Sequence, residues 1–462
     1  MTSTLIVGAG SAGCVLAARL SADPARSVRV FEAGPAFRTP AELPTELLDP
    51  SHLPIGPESR LIWRYPGNLV RGKLAGGSGA INGSYFIRPP ARDFAAWSAV
   101  AGPRWSFESV LPLFCDLEDD ADFGGTAWHG NQGPIPISRT GDPTEFSAEF
   151  AQRCVAAGFT EIPDLNTPNA TDGFGRVPLA VSGRFRSGPA FTHLYPAMAR
   201  PNLTVTGETM VTRLLLRGTR VIGVEWARGR ERGRTFADRT VLCAGAVESA
   251  ALLIRSGIGP ESLLRSLGVP IVRPAPVGAW CTDHPEIGVE CPADEVDGPA
   301  VVLEYVLEAD DLELRPYTRM FTPGLRRVGV ALMRPESAGE LTLVSADPTV
   351  GARVDQRYLR GARDRARLRD GVALTADILG RPIGPVDDSW LRANLGTSQH
   401  LSGTCRMGPA GDKRAVVDEF GRVHGIDALT VADLSVVPVP LSRGPQAATV
   451  MLAASIADHM VV

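Results

Sequence analysis

Between Thr4 and Leu20 the chain reads TLIVGAGSAGCVLAARL. A short apolar run, Thr4 to Val7, leads into Gly8-x-Gly10-x-x-Gly13, after which Val15, Leu16 and Leu20 recur at helical spacing. The order is strand, tight turn, helix. Glycines at these places let the backbone close on a pyrophosphate, whose charge then meets the positive N-terminus of the helix. A second apolar run, VRVFE from Val28 to Glu32, ends in a carboxylate about twenty residues further on, placed to accept both hydroxyls of an adenosine ribose. Together they predict dinucleotide binding and leave FAD and NAD undecided.

Three later stretches repeat or complement this theme. GKLAGGSGAINGSYFIRP (Gly72 to Pro89) is too rich in small residues for the interior of a helix or strand, so its backbone passes close to something. RTVLCAGAVESAALLIRSGIG (Arg239 to Gly259) is again strand, small-residue turn at Ala244-Gly245, and apolar helix. LTVADLSVVP (Leu429 to Pro438) ends a strand near Asp433, ahead of the apolar helix GPQAATVMLAASIADHM. Pieces so far apart in the chain imply a long cofactor and a domain that the chain leaves and re-enters.

Composition narrows the class further. Of 462 residues, 44% are apolar and 21% charged, enough for a large core divided among two or three domains. Forty-seven basic against fifty-one acidic residues leave a net charge of −4 with no basic stripe, so no nucleic-acid partner is expected. The seven cysteines are scattered without a CxxC pair, so neither a disulfide framework nor a metal site is expected. The chain starts without a basic leader and holds no apolar run of roughly 20 residues, so no transmembrane segment and a cytoplasmic location are expected.

The stretches quoted, joined in order by HGNQGPIPI (His129 to Ile137), RPNLTVTGETMVTRLLL (Arg200 to Leu216), DHP (Asp283 to Pro285) and GTCRMG (Gly403 to Gly408), resemble the glucose–methanol–choline (GMC) family of flavoprotein oxidoreductases. The resemblance implies FAD, a hydroxyl-bearing substrate and hydride transfer from carbon to flavin. It implies an α/β fold, α+β overall, with a discontinuous Rossmann-like FAD-binding domain (1–35, 67–100, 200–285 and 402–462). A second, antiparallel-sheet substrate domain (101–199 and 286–401) and a lid or loop at 36–66 complete it. Cofactor contacts carried over are Gly8, Gly10, Ser11, Ala12 and Gly13; Glu32 and Ala33; Gly77, Ser78, Asn82 and Gly83; Val211; Ala244 and Gly245; Asp433 and Ala447. No histidine lies between Ala80 and Tyr85, where covalent members of the family often attach the flavin, so a non-covalent flavin is expected.

The remaining chemistry concerns HLSGTCRMG, His400 to Gly408. By resemblance the histidine of HxxGT takes the substrate's hydroxyl proton, and an imidazole suits that role near neutral pH. Family members carry a second histidine or asparagine in the C-terminal element; here Gly444 stands there. Arg443, Gln446 or a water are the replacements to consider, Gln446 first because an amide both donates and accepts. His129 and His284 are read as structural, His52, His193, His424 and His459 as packing or surface residues, and the Arg/Asp run from Arg363 as a solvated helix face.

A shortened substrate region suggests an open cleft. The chain also resembles the actinobacterial branch associated with the peptide-derived redox cofactor mycofactocin, which implies a bulky phenolic redox carrier as substrate and electrons passed on to the respiratory chain. The cytoplasmic character and the altered C-terminal pair make a dehydrogenase the expectation; an oxygen-using alcohol oxidase and a degenerate flavin-binding protein without turnover are the alternatives.

Overall fold

The computed structural model describes residues 2–168, 172–292 and 301–461. At its centre five parallel strands stand in the order Leu203–Thr206, Arg26–Phe31, Thr2–Val7, Arg239–Leu242, Leu429–Val431. This is a Rossmann-like sheet, with the first strand in the middle and the chain returning twice from elsewhere to complete it. Helices Ser11–Leu20 and Gln446–Val461 are buried against it almost all round, and Leu16, Leu20, Val450 and Ile456 share one core with Leu5, Val30 and Val241. Helices buried this completely need apolar residues on every face, as these sequences have.

The second part is built on a six-stranded antiparallel sheet, ordered Leu395–Thr397, Pro285–Pro292, Leu325–Leu332, Leu312–Thr322, Tyr305–Ala309, Gly173–Arg176. Helix Ala362–Leu379 covers one face of it, with Leu368, Val372 and Ile378 packed on Leu312, Val328 and Val330. The arginine run on this helix is less solvated than its pattern suggests. Arg363 and Arg367 both pair with Asp311, whose side chain is fully buried, and Arg365 and Arg369 pair with Asp388. Arg363 and Arg367 fasten the helix to the turn between the Tyr305–Ala309 and Leu312–Thr322 strands, and Arg365 and Arg369 fasten it to the short helix Asp388–Ala393.

Residues 36–66 hold a turn at Pro40–Glu42, a short helix Thr45–Leu48 and a strand Ile62–Tyr65 paired with Leu69–Gly72. Leu43, Leu47 and Ile62 form a small core with Leu74 and Ile81, so the segment is anchored by burial even though its prolines hide any periodicity.

Candidate active site

One cavity of about 480 Å³ opens at the C-terminal ends of the parallel strands and continues to the antiparallel sheet. Binding at the strand ends follows from the topology, since neighbouring strands there send their connections to opposite sides and leave a crevice. Gly8, Gly10, Ser11, Ala12, Glu32 and Ala33 line it from the first two strands, and Gly77, Ser78, Asn82 and Gly83 from the small-residue loop. Val211, Ala244, Gly245 and Asp433 line it from the other returning segments.

Two expected contacts lie elsewhere. Gly13 is absent from the lining because it faces inward: a Cβ there would stand 2.0 Å from the Gly8 carbonyl oxygen, so its glycine serves the close approach of helix to strand. Ala447 is fully buried in the core, one residue past a helix start that does face the cavity.

These walls fit FAD. Helix Ser11–Leu20 begins with no side-chain cap, which leaves its first N–H groups for a pyrophosphate. A Cβ placed on Gly245 would meet nothing within 4 Å, so the backbone presents an open face to the cavity there. Glu32 and Asp433 are buried carboxylates whose pKa burial raises, opposed at Glu32 by backbone donors and at Asp433 by the Ser249 and Ser435 hydroxyls and then by backbone donors. Glu32 accepts from the Ala9 N–H at 2.8 Å and the Gly34 N–H at 2.9 Å, which aims it as an acceptor for hydroxyl groups.

At the far end stands His400. Its Nδ1 lies 2.8 Å from Nδ1 of His284, with the rings crossed at 85°. One of these nitrogens must carry the proton. The Leu441 backbone beside the His284 ring favours a proton on that ring. In the tautomer that places this proton on Nε2, His284 accepts at Nδ1 and His400 donates from its own Nδ1. His400 Nε2, which bonds nothing among the described residues, keeps a lone pair at the cavity wall.

Burial, then the neighbouring His284, Arg315 and Arg71, holds the His400 imidazole well below the ordinary histidine range. Burial likewise pushes His284 down to about 4. Asp283 holds both backbones, accepting from the His284 N–H at 2.8 Å and the His400 N–H at 2.7 Å. Gln399, in the left-handed region at φ 67°, braces the approach by accepting from Arg71 at 2.9 Å.

Two readings of the sequence are corrected here. His284 belongs to the site; the Asp-His-Pro motif was visible, but nothing local shows that it meets His400. Gln446 lines the same cavity as His400, and its Oε1 accepts from Ser11 Oγ at 3.1 Å, which ties the last helix to the first. Arg443 is turned away, buried in an ion pair with Glu308. Beside His400 the space is filled by Tyr85, which the sequence offered only as part of a signature.

Residues 2–286 and 335–453 match GMC oxidoreductase. The chain is 39% identical, over 97% of its length and 96% of the relative's, to an uncharacterized GMC-type oxidoreductase of Rhodococcus erythropolis. It is 33% identical to the 5-(hydroxymethyl)furfural oxidase of Methylovorus sp., covering 99% of each chain. Among solved structures, pyridoxine 4-oxidase from Mesorbium loti superposes with a TM-score of 0.91 at 28% identity over 99% of both chains.

Proposed function

The chain belongs to the GMC oxidoreductases and is thus a FAD-dependent enzyme acting on CH–OH groups, and from that premise we propose that His400 is the base that takes the hydroxyl proton of a neutral alcohol. The observation that carries this is His400 at the cavity wall with its Nδ1 2.8 Å from Nδ1 of His284, an arrangement in which His400 donates from Nδ1 and offers Nε2 as the base. FAD, when bound, supplies the acceptor for the hydride. The protein's own part is to hold the alcohol oxygen at Nε2, to keep the imidazole neutral by burial, and to receive the proton as the C–H bond breaks. A base kept below the ordinary histidine range is neutral at physiological pH and so is ready to take the proton.

Alcohol substrates are supported by two relatives named for the oxidation of hydroxymethylfurfural and of pyridoxine. Ser11, Glu32, Asn82, Gly245 and Asp433 are proposed to hold the cofactor, on the strength of their places around the cavity. The electron acceptor has two readings. An organic carrier makes the enzyme a dehydrogenase; the oxidase names of the two relatives favour oxygen.

Anaerobic mixing of the yellow protein with primary alcohols, and with a bulky phenolic carrier such as reduced mycofactocin, tests both substrate classes. Bleaching of the flavin identifies the substrate, and a flavin that nothing bleaches returns the protein to the non-catalytic alternative. Air or a quinone-like dye is then admitted. Fast peroxide formation assigns oxygen; slow reoxidation in air with fast reoxidation by the dye assigns a carrier. Among the described residues no helix is long and apolar enough to cross a membrane.

A further inference from the structure

Gly444 lies against the base, and the room a side chain would need there is taken. A Cβ built on it would stand 2.8 Å from Cε1 and 2.9 Å from Cδ1 of Tyr85, and 3.7 Å from Cε1 of His400. Both ring contacts are closer than real Cβ atoms come, so position 444 can be enlarged only if Tyr85 moves. Tyr85 is not free to do so. Its hydroxyl donates to Glu313 Oε2 at 2.7 Å, and Glu313 is held in turn by Arg315 Nε at 2.6 Å. Its backbone bridges Leu179, and its ring packs beside Leu179 and Leu303.

The charge at this end of the cavity is also accounted for. Glu286 accepts from Tyr317 at 3.0 Å on one oxygen, and from Arg315 and Ser398, both at 2.7 Å, on the other. A carboxylate so engaged offers little to a cationic substrate.

We propose that Tyr85 and Gly444 are a reciprocal pair in which the tyrosine ring replaces a polar group beside His400 and makes Tyr85 a specificity-determining residue. The alcohol oxygen is gripped by one imidazole, and the ring forms a wall that admits a flat, neutral primary alcohol and rejects one branched at the carbinol carbon. This deepens the alcohol-oxidation reading above and rests on it.

The test uses the FAD-loaded protein and its variants Gly444→Ala, Tyr85→Ala and the double substitution, with Tyr85→Leu as a second, milder way of shrinking the ring. The thermal midpoint reads the steric pair. Gly444→Ala should lower it in the parent and have much less effect where Tyr85 is already Ala or Leu; an equal drop in both backgrounds overturns the pairing. The anaerobic rate of flavin bleaching by benzyl alcohol and by 1-phenylethanol reads selectivity. Their ratio in the parent should favour benzyl alcohol, and shrinking Tyr85 should erode it by roughly ten-fold or more, the scale at which pockets distinguish one carbon. Tyr85→Phe, which keeps the ring, should preserve it. A loss equal for both alcohols makes the ring a packing element only. Should neither alcohol bleach the flavin, the oxidation reading fails by itself. Dissociation constants of the two alcohols, read from flavin absorbance, then decide: a Tyr85-dependent preference upholds the wall, and its absence overturns it.

Discussion

Two histidine sites in this molecule have opposite proton states, with His284 and His129 buried and His400 half-buried at the cavity wall. His400 and His284 touch each other, and Asp283 beside them spends its Oδ1 on their backbone N–H groups. His129 instead has Nδ1 2.8 Å from Glu118 and 3.1 Å from Asp120, and Nε2 2.9 Å from Asp164. Burial opposes charge at both. At His129 hydrogen bonds to Asp120, Asp164 and Glu118 outweigh burial and raise the imidazole to about 10, whereas at His400 burial is joined by His284 and two arginines. Arg88 pairs with Glu118, and Arg139 with Asp120 and Asp164, so three carboxylates face three cations. The first site keeps a base; the second is an ion network that holds the Glu118–Asp120 and Ile135–Ser138 strands to the Asp164 loop. What makes a histidine reactive here is the shortage of carboxylate partners, not burial.

Removing the base is the largest test of that contrast. His400→Ala should keep its FAD and lose roughly 10²–10⁴ in the rate of flavin reduction, the usual worth of a positioned base. In the parent the rate should climb with pH only below the ordinary histidine range and stay level above it, because His400 is already neutral there. A rate still climbing above pH 7 would show the imidazole charged at neutrality and break the contrast.

His129→Leu tests the other side. Taking the cation out strands buried carboxylates, at a cost of about 3–5 kcal/mol in denaturant unfolding. The sign with pH follows from the raised value: the contribution of His129 is complete below the unfolded value of 6.5 and fades as pH rises toward about 10. The parent should therefore lose stability across that window, and the variant should lose less. Parent and variant falling in parallel would show His129 neutral.

A smaller effect is expected where the two histidines meet. His284→Leu removes the acceptor that orients His400 and, in acid where His284 itself takes a proton near 4, the charge that opposes protonation of His400. The rate should fall by about ten-fold, one positioned hydrogen bond, and the acid limb should move to higher pH. An unchanged limb would mean burial alone sets the proton state. Least is expected of Gln446→Ala, which loosens the helix contact with Ser11 and should weaken FAD retention by about 1 kcal/mol with the reduction rate intact. A large loss of rate would place Gln446 in the chemistry.

The amino-acid sequence by itself determined the parallel-sheet core, the dinucleotide turn and the family. Those signals are local: glycine spacing, apolar periodicity and an acid at a strand end act within a few turns of chain. The identity of His400 as a candidate base came the same way, from a motif a few residues long. Only the tertiary structure decided what surrounds that base. His284 reaches His400 from 116 residues away because the Pro285–Pro292 and Leu395–Thr397 strands pair side by side. Tyr85 fills the room at Gly444, Arg443 is claimed by Glu308, and the charged helix from Ala362 finds Asp311. These are contacts between segments brought together by sheet register and core packing. A side chain's neighbours across such a join set its proton state and its reach, and no pattern in its own segment encodes them.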